Sequence, residues 1–74
     1  MEFDYSKLRG RMVEMFGSTS AVAEKIGMSK AAMSSRLNNA TPFKDSEIFS
    51  LCATDCLDIP DSEIVAYFFT PKVR

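Results

Sequence analysis

Residues 19–38 read TSAVAEKIGMSKAAMSSRLN, and this stretch decides how the rest of the chain is interpreted. Apolar residues recur at three- and four-residue spacings on both sides of Gly27, which is typical of amphipathic helices. Ser18 and Ser29 stand where N-caps are expected, and Gly27 supplies the left-handed conformation that ends a helix. The pattern predicts two short helices joined by a tight turn, with the second at Lys30–Leu37. Because helices this short do not persist alone, they must pack against each other.

The residue types in this stretch meet the steric demands of a helix-turn-helix. Ala23 is small enough for the two helices to cross closely, and Ile26, Met28 and Met33 are suited to bury the inner corner. The outer face of the second helix would then project toward the major groove of DNA. We therefore predict a helix-turn-helix here.

Three further segments have helical periodicity or helix-boundary residues. Their predicted ranges are 4–16, about 44 or 45 to 55, and about 60 to 69. Asp4 is expected to cap the first, Gly17 to follow its end, and Pro60 to lie in the first turn of the last. The chain, 1–74, is thus predicted to be one all-α domain of five helices with a short C-terminal tail at 70–74.

Composition excludes several classes of protein. The 74 residues suit a single domain, and a hydrophobic fraction of 46% is too high for a disordered chain. No apolar run approaches the ~18 residues of a membrane span, and the N-terminus lacks a signal-peptide pattern. We therefore expect a cytoplasmic protein with no membrane partner.

Candidate catalytic and metal-binding residues are scarce. The chain has no histidine and two cysteines, Cys52 and Cys56, whose spacing places both on one side of a helix. That arrangement suits neither a disulfide nor the usual zinc sites, so we interpret them as small buried hydrophobes, with a redox or metal pair as the alternative. No nucleophile–base pair or glycine-rich phosphate loop is evident. The sequence predicts no enzyme, no cofactor and no metal.

Charge is unevenly distributed along the chain. Residues 1–44 contain seven cations and four anions, a net +3, whereas residues 45–74 contain two cations and six anions, a net −4, which together make the overall −1. A basic half is able to face phosphate while the acidic half points away. A mixed, solvated surface is the alternative, and Lys7, Arg9 and Arg11 are either solvated or close to phosphate.

Three segments carry a resemblance to a known family. They are FDYSKLRGRM at 3–12, SAVAEKIGMSKAAMSSRLNNATPF at 20–43 and LDIPDSEIVAYFFTPKV at 57–73. These resemble the small Cro/CI-type (lambda-repressor-like) helix-turn-helix regulators of temperate bacteriophages. Within that family, the chain is most similar to Cro-like and modulator-of-repression (antirepressor) proteins of phages of Gram-positive bacteria. The resemblance implies a five-helix domain whose third helix contacts DNA.

The resemblance also implies which residues meet DNA. Thr19 matches a position that commonly holds a phosphate, and the third helix supplies the outward-facing positions. The expected DNA-binding residues are Thr19, Ser29, Lys30, Ala31, Ser34, Ser35, Arg36 and Asn38. Alanine offers only a methyl group and serine makes less selective contacts than arginine, asparagine or glutamine. We therefore expect modest sequence discrimination, or a recognition helix partly adapted to a protein partner.

Two functional hypotheses follow. The first is a transcriptional regulator of a phage lysis/lysogeny switch, which binds double-stranded operator DNA through the helix at about 30–37. The alternative is an antirepressor that binds the partner CI repressor and modulates its DNA binding, which the acidic pI and the weak base contacts favour. The two are compatible, because one protein is able to bind DNA together with the repressor. A homodimer is left open, with Tyr67, Phe68 and Phe69 as either core or contact residues.

Overall fold

A computed structural model describes residues 2–73. The helices, in chain order, are α1 (Ser6–Phe16), α2 (Thr19–Lys25), α3 (Lys30–Leu37), α4 (Asp45–Cys52) and α5 (Ile64–Phe68). A single 3-10 turn, Asp61–Glu63, precedes α5. Over the described range there is no strand, only an isolated bridge between Phe3 and Pro71, so the all-α prediction is confirmed. None of these helices is long and apolar enough to cross a membrane.

Both helices of the central stretch start at serine caps. The Ser18 hydroxyl accepts a hydrogen bond from the Ala21 N–H at 3.1 Å, and the Ser29 hydroxyl accepts one from the Ala32 N–H at 3.0 Å. Each bond satisfies one of the backbone donors that a helix leaves unpaired at its N-terminus. The predicted starts of α2 and α3 are therefore confirmed.

The turn between α2 and α3 depends on Gly27. Its φ is +76°, in the left-handed region. The Met28 N–H donates to the Ala23 carbonyl at 2.8 Å and the Gly27 N–H donates to the Glu24 carbonyl at 3.2 Å. These two bonds form a Schellman motif, which ends α2 and redirects the chain. Residues 19–37 are thus two helices and not one continuous rod.

One hydrophobic core lies beneath all the helices. Val22 and Ala23 of α2 are completely buried, as the close packing of α2 requires. Phe68 is also buried, whereas Tyr67 is half-buried and Phe69 is exposed, so this aromatic cluster is core with one outward ring. The buried set is Tyr5, Leu8, Met12, Val22, Ala23, Met33, Leu37, Leu51, Cys56, Leu57, Ile59 and Phe68.

Helix α1 begins two residues later than predicted. Tyr5, and not Asp4, occupies the N-cap position, and the Asp4 N–H donates to the Thr70 carbonyl at 2.8 Å, which holds this part of the chain against the tail. The Asp4 carboxylate accepts hydrogen bonds from the Ser6 hydroxyl at 2.6 Å and the Ser6 N–H at 2.8 Å. These bonds hold the pKa of Asp4 below its ordinary value. The carboxylate therefore forms a local turn just before the helix.

Helix α4 ends at Cys52, three residues before the predicted end. Ala53 is extended, with ψ of 149°. The carbonyls of Leu51 and Cys52 then accept hydrogen bonds from Leu57 and Ile59, whose side chains are buried. Burial of these two side chains draws the chain out of the helix and back over its end.

The two cysteines consequently do not share a helix face, and that prediction is wrong. Cys56 lies in the turn after α4 and is buried, whereas Cys52 is half-buried, and both thiols are free. Burial raises the pKa of each thiol, which makes the thiolate scarcer.

The last helix is shorter than predicted and its tail is not loose. Pro60 precedes the 3-10 turn instead of occupying the first turn of α5, and α5 ends at Phe68. The Lys72 N–H donates to the Glu2 carbonyl at 3.1 Å, so the tail pairs with the N-terminal segment. The two ends of the described chain are therefore held together by backbone hydrogen bonds.

Candidate functional site

The residues expected to contact DNA lie on α3, at its two ends and at the start of α2. Ser29, Lys30, Ala31, Ser34 and Asn38 are exposed. Thr19, Ser35 and Arg36 are half-buried. The structure thus brings the set to one region, but it does not expose all of its members equally.

Several of the polar side chains at the C-terminal end of α3 bond to one another. The Asn38 amide nitrogen donates to the Ser34 hydroxyl at 3.2 Å. The Asn38 oxygen accepts from Arg9 Nη2 at 3.1 Å, and the same nitrogen lies 3.4 Å from the Leu37 carbonyl. A cation at this position also suits the negative end of the helix dipole. Arg9, Ser34 and Asn38 therefore stabilise the end of α3.

Ser35 and Arg36 connect α3 to the segment that follows it. The Ser35 and Thr41 hydroxyls are 2.7 Å apart, in a part-buried hydrogen bond. Arg36, expected beside the DNA-binding face, forms a two-point contact with Glu47: Nε–Oε1 is 3.1 Å and Nη2–Oε2 is 2.9 Å. The side chains of this ion pair are only 13% and 14% exposed, so its geometry is well protected from water.

Glu47 is the residue that joins α3 to α4. Its Oε1 accepts a hydrogen bond from the Lys44 N–H at 2.9 Å, which satisfies a backbone donor at the start of α4. The hydrogen bond from Arg36, followed by that from the Lys44 backbone, outweighs burial and holds the pKa of Glu47 below its ordinary value. Sequence reasoning missed this role, although a glutamate three residues after a helix N-cap is a known signal.

The basic residues of α1 are also engaged. Arg11 Nε donates to the Leu57 carbonyl at 2.9 Å, and its Nη1 lies 2.9 Å from a Glu14 oxygen. Lys7 Nζ lies 4.8 Å from the centre of the Tyr67 ring. Together with Arg9, these side chains hold α1 against distant parts of the chain.

Asn39 has a left-handed backbone, with a φ of +63°. Its side chain also holds a distant part of the chain. The Asn39 oxygen accepts the Phe3 N–H at 2.9 Å, and the Asn39 amide nitrogen donates to the Phe3 carbonyl at 2.9 Å. The loop after α3 therefore clamps the N-terminal segment by its backbone.

A second surface, which the sequence did not indicate, lies beside α4. Phe49 is 81% exposed and borders an open hollow of about 340 Å³. The hollow is lined by Lys25, Ile26, Phe49, Ser50, Ala53, Asp55 and Cys56. The available signal was that Phe49 lies off the apolar stripe of Ile48, Leu51 and Cys52. Metal binding has no candidate in the described part of the chain, where no three acidic or cysteine side chains gather.

Comparison with known proteins places this geometry in context. The family described as "Protein of unknown function (DUF739)" matches residues 1–71. The chain is similar to the solution structure of the modulator of repression of the temperate bacteriophage TP901-1 from Lactococcus lactis, with 34% identity and a TM-score of 0.80. That similarity covers 100% of this chain and 97% of the other. The comparison with curated proteins found no match.

Proposed function

This chain belongs to the DUF739 family, and we propose that it is a modulator of repression in a temperate phage. In this role it binds a CI-type repressor and changes how that repressor binds its operator. The full-length similarity to the modulator of repression of phage TP901-1 carries the proposal. The whole chain acts as one domain of the Cro/CI helix-turn-helix type, with α2, the Gly27 turn and α3 as the motif and with no catalytic role.

The hydrogen bonds around α3 support a protein partner over direct base recognition. Sequence-specific contacts in the major groove need donors and acceptors that are free to meet base edges. Five polar side chains of the expected DNA-binding set instead bond within the protein: Ser29, Ser34, Ser35, Arg36 and Asn38. Lys30 and Ala31 remain at the exposed start of α3, and they offer one flexible cation and one methyl group.

Charge also favours a repressor as partner. A DNA-binding domain presents a basic face, because it must neutralise phosphates. This chain has a net charge of −1, and its residues 45–74 carry most of its carboxylates. Opposite charge steers association with the basic face of the repressor, whereas the like charge of carboxylates and phosphates disfavours binding to DNA itself.

Operator binding by the chain itself is the second candidate. The observation that favours it is the exposed Lys30 at the capped start of α3, where a cation and a helix N-terminus both suit phosphate. Such binding would weaken as salt rises. The logarithm of the association constant would fall against the logarithm of the salt concentration with a slope of about 0.9 per phosphate contact. Lys30→Ala would remove one contact and reduce that slope accordingly.

The test uses fluorescent operator DNA, the DNA-binding domain of the repressor encoded in the same phage, and this chain. Anisotropy is measured for the repressor on DNA with increasing amounts of the chain, and for the chain on DNA alone at two salt concentrations. We expect the chain to bind the repressor domain at micromolar concentration, to change the DNA-binding curve of the repressor and to show little affinity for DNA alone. Salt-dependent DNA binding without any repressor complex would favour the second candidate and refute the first.

A further inference from the structure

Among the aromatic side chains of residues 2–73, the ring of Phe49 is the most exposed. It lies in the middle of α4, and 81% of its surface is accessible. Large aromatic side chains contribute strongly to interfaces when they fill a pocket, whereas in water their apolar surface is unfavourably hydrated. The hollow beside it is part apolar, since Ile26 and Ala53 line it, and it is open to solvent. A projecting ring and a receiving hollow therefore lie side by side on one face.

This arrangement is self-complementary. In a two-fold symmetric dimer both copies use the same patch. The projecting ring of each copy then faces the hollow of the other copy. We propose that the chain forms a symmetric homodimer in which Phe49 of each copy packs into the hollow between α2 and α4 of the second copy. The dimer does not depend on the proposed function, because it uses α4 and the end of α2 and leaves the exposed start of α3 outside the hollow.

The charges beside the hollow are also complementary to the same charges on a second copy. Lys25 Nζ and Asp55 Oδ2 are 3.8 Å apart, with 43% and 78% of their side chains exposed. Because both signs are present on one patch, a second copy turned by half a revolution sets Lys25 against Asp55 and Asp55 against Lys25. A patch of uniform charge would repel its own copy, whereas this one attracts it at short range.

The small size of the patch indicates a weak dimer. Seven residues line the hollow. Stable interfaces use roughly 20–30 residues on each side, so the contact is at the weak end of specific association. The chain is therefore a monomer at low concentration, and its dimer becomes populated between micromolar and millimolar concentration.

The first experiment is sedimentation of the full chain over that concentration range, with amide NMR shifts recorded in parallel. We expect reversible dimerisation, with shifts at Ile26, Phe49 and Ala53 that grow with concentration. Phe49→Ser reduces the association constant by roughly tenfold or more, as for the loss of an interface anchor. The matched control is Val65→Ser, which removes another apolar side chain, 68% exposed on α5 and absent from the hollow, and leaves association unchanged.

The second experiment separates symmetry-related pairing from any effect on folding. Lys25→Asp and Asp55→Lys each break the contact within the chain, and each places like charges across the two-fold axis. Each variant alone therefore associates more weakly than the unaltered chain. An equimolar mixture of the two restores opposite charges at both contacts, and we expect heterodimers that are at least as strong as the original dimer. Thermal melting by circular dichroism checks that both variants remain folded.

Three results would overturn the proposal. The first is an unaltered chain that stays monomeric up to millimolar concentration. The second is a dimer that survives Phe49→Ser unchanged, which would place its interface elsewhere. The third is Phe49-dependent binding to the repressor domain without any self-association, which would assign the hollow to a different protein. Loss of repressor binding alone would refute the proposed function and leave the dimer standing.

Discussion

Gly10 and Gly27 provide a matched test of how this backbone is held. At both positions, a Cβ added to the glycine would meet no atom within 4 Å beyond the neighbouring backbone, so the rest of the protein does not crowd either site. The difference lies in the backbone: Gly10 is in the middle of α1, whereas Gly27 has a φ of +76°. Replacing each by alanine therefore changes conformational preference and almost nothing else.

The expected effects have opposite signs. In a helix interior, glycine is less favourable than alanine by about 0.8–1.0 kcal/mol, so Gly10→Ala should raise the free energy of unfolding by about that amount. In the left-handed region, a Cβ costs roughly 1–2 kcal/mol. Alanine also restricts the unfolded chain, which offsets about 0.4–1 kcal/mol of this cost. Gly27→Ala should therefore lower the free energy of unfolding by about 1 kcal/mol.

Urea denaturation followed by circular dichroism measures both values, and thermal melting provides a second readout. For a domain of this length, 1 kcal/mol corresponds to a shift of about 4–8 °C in Tm. The two variants should therefore melt on opposite sides of the unaltered protein. If Gly27→Ala were as stabilising as Gly10→Ala, the left-handed turn between α2 and α3 would not exist in solution, and the prediction of a helix-turn-helix would be wrong.

Three other expectations follow from specific contacts. Because the pKa of Glu47 is lowered from 4.5, the contribution of Glu47 to stability is present above that pH and is lost as pH falls through the folded-state pKa. The difference in the free energy of unfolding between the unaltered chain and Glu47→Gln should therefore close on acidification. A difference that does not depend on pH would contradict this assignment. Asn39→Gly keeps the positive φ but removes two hydrogen bonds to Phe3. It should lower the free energy of unfolding by about 1 kcal/mol and speed hydrogen exchange of the Phe3 amide. Unchanged exchange at Phe3 would show that Asn39 does not hold the N-terminal segment. Burial raises the pKa of both thiols, so a thiol reagent near neutral pH should modify them more slowly than free cysteine. The reagent should modify half-buried Cys52 before buried Cys56. The reverse order would show that the turn after α4 opens.

Much of the candidate site was predictable because its boundaries are local. The caps at Ser18 and Ser29 act on N–H groups three residues away, and the turn at Gly27 is closed within five residues. Asparagine is also one of the residue types that tolerate the left-handed region, as Asn39 does. What could not be predicted is which outward side chains are already occupied, as Arg36 is by Glu47 at a separation of eleven residues. The hollow beside Phe49 likewise exists only once α2 and α4 are packed together.

The sequence alone therefore determined the all-helical class, the two capped helices and the glycine turn between them, because those features arise from interactions within about one helical turn. Tertiary structure decided where α4 stops, where Cys56 lies and how the two ends of the chain are held. Those outcomes depend on backbone groups that meet across long separations, such as Phe3 with Asn39 and Arg11 with Leu57, at 36 and 46 residues. Helix periodicity does not encode such encounters, since they are selected by the packing of the shared core.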